Sequence, residues 1–233
     1  MIRWRLDGYQ VVFTTRLGGV SEGPYASLNL GRKSGDAVER VDENRRIACE
    51  AVQADVAKLA LNYQVHSARV RQAEPAMRGE HADGLWTDEP GLPLLAMSAD
   101  CLPIALARID GSRPAVAVLH AGWRGLLEGI AASGLEALGG GNLAAAIGPG
   151  IGPCCYEVGE EVAAPFRERF GHDVVRGGRL DLWTSAERAL RAAGVDHVER
   201  LDRCTACEPE TFFSHRRDRG RTGRQGVIAY VTG

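Results

Sequence analysis

No stretch of this 233-residue sequence approaches the roughly 20 consecutive apolar residues that a membrane-spanning helix requires. The longest apolar run, Leu92 to Leu106, is broken by Asp100 and by two prolines. The first residues, Met1-Ile2-Arg3-Trp4-Arg5, lack the apolar centre of a secretory signal. There is no basic excess either: 28 Lys and Arg stand against 30 Asp and Glu, for a formal net charge of -2. Nucleic-acid binding usually needs a basic face, so neither a nucleic acid nor a membrane is expected as partner, and a soluble cytoplasmic protein is. The one basic cluster, His215 to Arg221, carries its own Asp218; an anion pocket or a solvated turn accounts for it as well as RNA would. The six cysteines, without a signal, do not compose a disulfide framework. Cys154-Cys155 and Cys204-Thr205-Ala206-Cys207 are suggestively spaced. Neither pair sits in a knuckle-like turn context, so a closed four-cysteine zinc site is not expected. Repeats, low-complexity segments and linkers are absent, and 45% hydrophobic content supports one core.

What is present alternates between strand and helix. Tyr9 to Thr14 and Leu59 to Val65 read as strands, as do the runs at Leu94–Met97, Ile104–Ala107, Ala115–Leu119, Leu143–Ile147 and Gly226–Val231. The near-continuous apolar runs suit strands covered on both faces. Helices are expected over Val38–Val56, Gly122–Leu138, Glu157–Phe170 and Leu182–Ala193. Asp36 with Glu39 resembles a capping box for the first, and Asp181 a cap for the last. The segment Arg16 to Gly31 reads as a long polar loop. The alternation predicts a single α/β domain with a mixed sheet over residues 1–233.

Three residues close apolar runs in a way that suits metal chemistry: His66 in Gln64-Val65-His66-Ser67, Cys101 after Ser98-Ala99-Asp100, and His120 in Leu119-His120-Ala121-Gly122-Trp123-Arg124-Gly125. Two imidazoles and a thiolate are a ligand set for a catalytic zinc with one open position, where bound water has its pKa drawn to about 7. The same residue types also serve a cysteine hydrolase, with Cys101 as nucleophile, His120 as base and Asp100 or Asp83 orienting the imidazole. Arg16, followed by Gly18-Gly19, suits an oxyanion contact. Ser27, Asn29 and Asn44 could read a sugar or a base, or simply serve turns and caps. Arg124, at the start of an expected helix, is an anion-site candidate.

These words together resemble the laccase-domain family, also known as the multicopper polyphenol oxidase or YfiH family. The resemblance runs from Thr14-Thr15-Arg16-Leu17-Gly18-Gly19-Val20-Ser21 and Ser27-Leu28-Asn29-Leu30 through Gln64-Val65-His66, Ala82-Asp83-Gly84 and Ala99-Asp100-Cys101-Leu102-Pro103. It continues through His120-Ala121-Gly122-Trp123-Arg124-Gly125, Gly148-Pro149-Gly150-Ile151-Gly152-Pro153-Cys154-Cys155-Tyr156-Glu157-Val158 and Phe212-Phe213-Ser214-His215-Arg216-Arg217-Asp218 to Thr222-Gly223-Arg224-Gln225, nearly the whole chain. It implies a layered α/β sandwich related to cysteine hydrolases, and zinc bound by His66, Cys101 and His120. It further implies phosphorolysis of adenosine, inosine, guanosine and methylthioadenosine, deamination of adenosine, and a link to peptidoglycan editing. Tyr63 and Trp86 depart from the family's usual residues, Trp86 being expected to reshape a pocket wall. Six scattered histidines are too few for a multicopper cluster, so copper is not the expected metal. The leading reading is therefore a zinc-dependent purine nucleoside phosphorylase with adenosine deaminase activity. In it Asp83 and Asp100 are candidates to move protons, Arg16 or Arg124 holds phosphate, and the partners are nucleoside and phosphate. A monomer or small homo-oligomer is expected. The alternative is a Cys101–His120 hydrolase or amidase acting on a cell-wall precursor.

Overall fold

The computed structural model describes residues 1–111 and 113–233. In chain order the strands are β1 (Ile2–Leu6), β2 (Tyr9–Phe13), β3 (Ala60–Leu61), β4 (Val70–Gln72), β5 (Gly84–Thr87), β6 (Leu94–Ser98), β7 (Leu102–Arg108), β8 (Val116–Ala121), β9 (Leu143–Ile147), β10 (Val175–Arg176), β11 (Arg179–Leu180), β12 (His197–Arg200) and β13 (Gln225–Val231). The helices are α1 (Val38–Glu50), α2 (Trp123–Glu128), α3 (Ile130–Ala137), α4 (Glu160–Phe170) and α5 (Leu182–Ala193). Two mixed sheets carry the fold. One has the order β1-β2-β13-β6-β3 and the other β12-β9-β7-β8-β5-β4, while β10 and β11 form a separate two-stranded hairpin.

The apolar runs are explained by the layers they meet. Val11, Phe13, Leu94, Ala96, Val227 and Ala229 of the first sheet pack against Leu85, Ala105, Val116, Val118 and Ala146 of the second. The opposite face of the second sheet, with Ile104, Leu106, Leu119 and Ile147, is covered by Leu126, Ile130, Phe166, Trp183 and Leu190 of α2 to α5. The outer face of the first sheet, with Val12, Leu95 and Ile228, meets Ala48 and Cys49 of α1. The result is a four-layer sandwich, α1 on one side and α2 to α5 on the other. Strands such as β8, buried at every position, have apolar neighbours on both faces and so read as continuous hydrophobic runs.

Several local expectations are corrected. The helix over Gly122–Leu138 is two helices, because Gly129 adopts a left-handed φ of 97° that ends α2 and starts α3. Asp36 does not cap α1, whose N-cap is Ala37 without a side-chain bond; its carboxylate accepts instead from Ser21 Oγ at 2.5 Å and Asn29 Nδ2 at 3.0 Å. The strand leading to His66 stops at Leu61. Beyond it, the Gln64 side chain takes over the pairing with β6, donating to Met97 O at 2.6 Å and accepting from Met97 N at 2.9 Å. Trp86 lies in β5 and packs on the helical side of the second sheet, not on a pocket wall. No helix among the described residues is long and apolar enough to cross a membrane.

Candidate active site

The chain passes from the first sheet to the second through Ala99-Asp100-Cys101, between the end of β6 and the start of β7. Pro103 of β7 pairs with His120 of β8, so this crossing brings Cys101 to the end of β8 where His120 sits. His66 arrives from the loop after β3. The ligand atoms of His66, Cys101 and His120 all lie within 4.8 Å of one another. The two imidazoles meet edge to face with centroids 4.9 Å apart. His66 and Asp100 have left-handed backbones, φ 64° and 91°, a strain of about 1–3 kcal/mol each that surrounding bonds must hold.

Asp83 holds much of it. Its buried carboxylate accepts from the backbone N–H groups of Val65 at 3.1 Å, His66 at 2.9 Å and Ser67 at 2.7 Å, and from Ser67 Oγ at 2.9 Å. It also faces His120 Nδ1 at 2.8 Å. That bond leaves Nε2 as the ring nitrogen of His120 available toward Cys101, the arrangement by which a carboxylate orients a metal-binding histidine. Burial raises the Asp83 pKa, but the His120 and Ser67 bonds outweigh it and carry it down to about 2. Burial likewise opposes charge on Cys101, yet the His120 charge and hydrogen bonds from both imidazoles bring the thiol down to about 6. His120 moves the other way: burial is overcome by the Cys101 thiolate and Asp83, raising it to about 9. Without a metal, the two opposite shifts favour the thiolate–imidazolium form of the pair. A thiolate and two imidazoles with a carboxylate behind one of them fit a zinc ion.

A cavity of about 730 Å³ opens over this trio, within the range of small-molecule sites. Among the described residues, Asp100 is the one carboxylate on its lining, whereas Arg32, Lys33, Arg45, Arg78, Arg216 and Arg224 all contribute. Burial, reinforced by Arg32 and Arg78, pulls the Arg45 guanidinium down to about 10. Burial also lowers Arg224, against the opposing charges of Cys101 and Asp100. Lys33 Nζ stands 3.4 Å from the centre of the Tyr63 ring. Asp100 is fixed by Thr205 Oγ1 at 2.6 Å and by the Arg216 N–H at 2.7 Å.

Asp83 sits behind the ligands, with no place on the cavity lining; its geometry is that of a positioning residue. Asp100 does face the cavity. Arg16 does not: its guanidinium donates to Ala26 O at 2.7 Å and Pro209 O at 2.8 Å, and lies over Phe213. Asn29 and Asn44 are fully buried. Asn44 donates to Asn29 O at 2.9 Å and accepts from Val20 N at 2.8 Å, and Asn29 accepts from Arg224 N at 2.8 Å. They build the loop that carries Arg224 rather than line the cavity. Arg124 folds over Trp123, 4.3 Å from the ring centre, and is also absent from the lining. Sequence reasoning missed the cations of the 32–78 region. They have no shared local word, and only the adjacent positive charges of Arg32-Lys33 at the end of a polar loop gave a signal.

The model of the multi-copper polyphenol oxidoreductase laccase family matches residues 10–232. Purine nucleoside phosphorylase YlmD of Geobacillus stearothermophilus is 38% identical over 244 residues, covering 94% of this chain and 88% of the relative. Purine nucleoside phosphorylase YfiH of Escherichia coli is 37% identical over 234 residues, covering 96% and 94%. The crystal structure of YlmD superposes with a TM-score of 0.87 at 36% identity, covering 97% of this chain and 93% of that one. That of Neisseria meningitidis protein NMB0706 gives 0.88 at 34% identity, covering 98% and 96%. With the fold, the His66–Cys101–His120 trio and these matches in agreement, the chain belongs to the laccase-like YfiH family, whose named relatives include purine nucleoside phosphorylases.

Proposed function

We propose that the cavity is the active site of a zinc-dependent purine nucleoside phosphorylase that also deaminates adenosine. The observation that carries this reading is a metal-competent Cys–His–His trio on the lining of a cavity of about 730 Å³, roomy enough for a nucleoside and phosphate, whose wall is cationic. Phosphorolysis joins an anion to a sugar carbon, so it needs positive charge beside the ribose. Lys33, Arg78 and Arg224 are the groups we assign to phosphate. Tyr63 and Tyr156 line the same space and offer faces on which a purine can stack. His66, Cys101 and His120 would hold the zinc ion, which supplies a Lewis acid and acidifies water. Asp83 keeps His120 oriented with Nδ1 engaged. Asp100, tethered by Thr205 and Arg216, is the carboxylate placed to accept or return a proton at the purine. Adenosine, inosine, guanosine and methylthioadenosine share the purine and ribose that these groups address.

The thiolate–imidazolium pair of Cys101 and His120 also supports a second reading, a cysteine hydrolase acting on a cell-wall precursor. Incubation with adenosine, with and without phosphate, followed by chromatography separates the two. Phosphate-dependent release of adenine is expected, with phosphate-independent inosine reporting deamination. Zinc-loaded protein that yields neither adenine nor inosine overturns the proposal. A metal-free preparation that still converts adenosine overturns the zinc requirement, and one that is inactive on adenosine but cleaves a cell-wall precursor moves the assignment to the hydrolase.

A further inference from the structure

A second set of ligating side chains lies outside the cavity. Cys154, Cys155, Cys204 and Cys207 place four sulfurs within 4.8 Å of one another. Cys207 Sγ is 3.4 Å from Cys154 Sγ and 3.3 Å from Cys155 Sγ. None of the four is in a disulfide. Two segments bring them together: the turn after β9 and the turn after β12. These segments are already fastened by a parallel bridge between Gly150 and Cys204, with Gly150 N donating to Arg203 O at 3.2 Å and Thr205 N to Gly150 O at 3.1 Å. The sulfurs therefore converge on a fixed frame rather than by chance contact of mobile side chains. The Gly152 N–H also donates to Cys204 Sγ at 3.3 Å, a contact that stabilises sulfur in its thiolate form. This is the turn context that reading each cysteine pair separately in sequence does not reveal.

We propose that Cys154, Cys155, Cys204 and Cys207 form a closed, structural zinc site, separate from the His66–Cys101–His120 centre. Four sulfurs at about 2.3 Å from zinc stand about 3.8 Å apart at the edges of a tetrahedron. The two closest spacings, 3.4 and 3.3 Å, fall a few tenths of an ångström short of that value, and all four sulfurs lie within 4.8 Å of one another, so small side-chain rotations complete the geometry. A set of four thiolates selects a soft ion and leaves no position for substrate. Binding Zn²⁺ displaces the thiol protons to solvent and moves no electrons; a disulfide between the same sulfurs would need an oxidant. The consequence of the site reaches the cavity. Thr205, inside the Cys204–Cys207 turn, donates to Asp100 at 2.6 Å, and Ile151 N donates to Asp100 O at 2.8 Å. The ion thus ties together the two loops that hold Asp100 beside Cys101.

The test counts zinc in the full-length protein, purified under reductant, loaded with zinc and freed of loose metal. Two equivalents are expected in the wild type, one in Cys101→Ala and one in Cys154→Ser/Cys207→Ser. Cobalt substitution of Cys101→Ala is expected to give intense thiolate-to-cobalt charge transfer and tetrahedral ligand-field bands. This measurement stands even where the double serine variant fails to fold. Metal loading should also slow alkylation of the exposed Cys154 and Cys207, and a chelator should restore it. One equivalent in the wild type that vanishes in Cys101→Ala overturns the proposal. So does a reduced, zinc-loaded Cys101→Ala protein without the cobalt spectrum. One equivalent that survives Cys101→Ala supports the cysteine site while removing metal from the active site, so the two readings fail separately.

Discussion

At the scale of single residues, the trio depends on neighbours that contribute no ligand atom. Gly122 precedes α2 with φ -81° and ψ 173°, a backbone that alanine tolerates. A Cβ there would stand 3.0 Å from Cys101 Sγ and 3.0 Å from His66 Cδ2. Gly122→Ala is therefore expected to push two ligands apart with little backbone strain. Misplacement near reacting groups costs up to about 100-fold in rate, so kcat/KM should fall by about ten- to a hundredfold and bound zinc should fall with it. Parallel zinc analysis and kinetics check this; full zinc with full activity would contradict it. Asp83 gives a second test, in metal-free protein. Its folded pKa, about 2, lies below the unfolded 3.8, so its stabilisation is complete above the unfolded value and is lost as pH falls through the folded one. The shift corresponds to about 2 kcal/mol. In urea unfolding of chelator-treated protein, the stability lost between about pH 5 and pH 2 should be greater in wild type than in Asp83→Asn by about this amount, with Asp83→Asn the less stable of the two at neutral pH.

At the scale of elements, α5 illustrates a signal that sequence carries whole. Asp181 accepts from Thr184 N at 2.9 Å and from Thr184 Oγ1 at 2.7 Å, as its cap position implies. Asp181→Ala should cost about 1 kcal/mol, a fall of a few degrees in Tm for a chain of this size, without change in kcat/KM, since α5 lies across the second sheet from α1. Thermal unfolding and steady-state rates check both halves. Strands β7, β8, β9 and β13 were equally legible, because burial on both faces writes a continuous apolar run. The edge strands β1, β4 and β12 were not, because they are partly exposed and carry arginines, and neither was β5, which lies between β8 and β4 but has only four residues. The break between α2 and α3 turns on Gly129, which helical periodicity alone does not register. His66, Cys101 and His120 were readable because each closes an apolar segment within a distinctive word. The four-cysteine cluster was not, since its pairs stand 52 and 53 residues apart in sequence and their turn forms only when the loops after β9 and β12 pair.

At the scale of the whole molecule, charge is distributed in a way that the net value conceals. The chain totals -2, yet among the described residues one carboxylate and six cations line the cavity. They come from both halves of the sandwich: the Arg32–Lys33 loop and Arg45 from the α1 side, Arg78 from the segment after β4, and Arg216 and Arg224 from the stretch before β13. No local word joins them, and folding alone makes them one wall. Several are already tethered: Arg45 to Leu30 O at 2.9 and 2.7 Å, Arg224 to Thr222 O at 3.0 Å and Gly223 O at 2.9 Å. Lys33, by contrast, stands over the Tyr63 ring as a compact charge on a flexible stem, suited to closing on an anion after it enters. Lys33→Ala is expected to raise KM for phosphate by about tenfold, the equivalent of one charge-assisted hydrogen bond, with kcat and KM for the nucleoside little changed. Because neighbouring cations remain, the defect should be larger at low ionic strength and shrink as salt screens the wall over about 8–10 Å. Initial phosphorolysis rates across phosphate concentration at two salt levels measure both effects. A nucleoside KM that rises while phosphate KM stays fixed would place Lys33 on the base or ribose and assign phosphate to Arg78 and Arg224 alone.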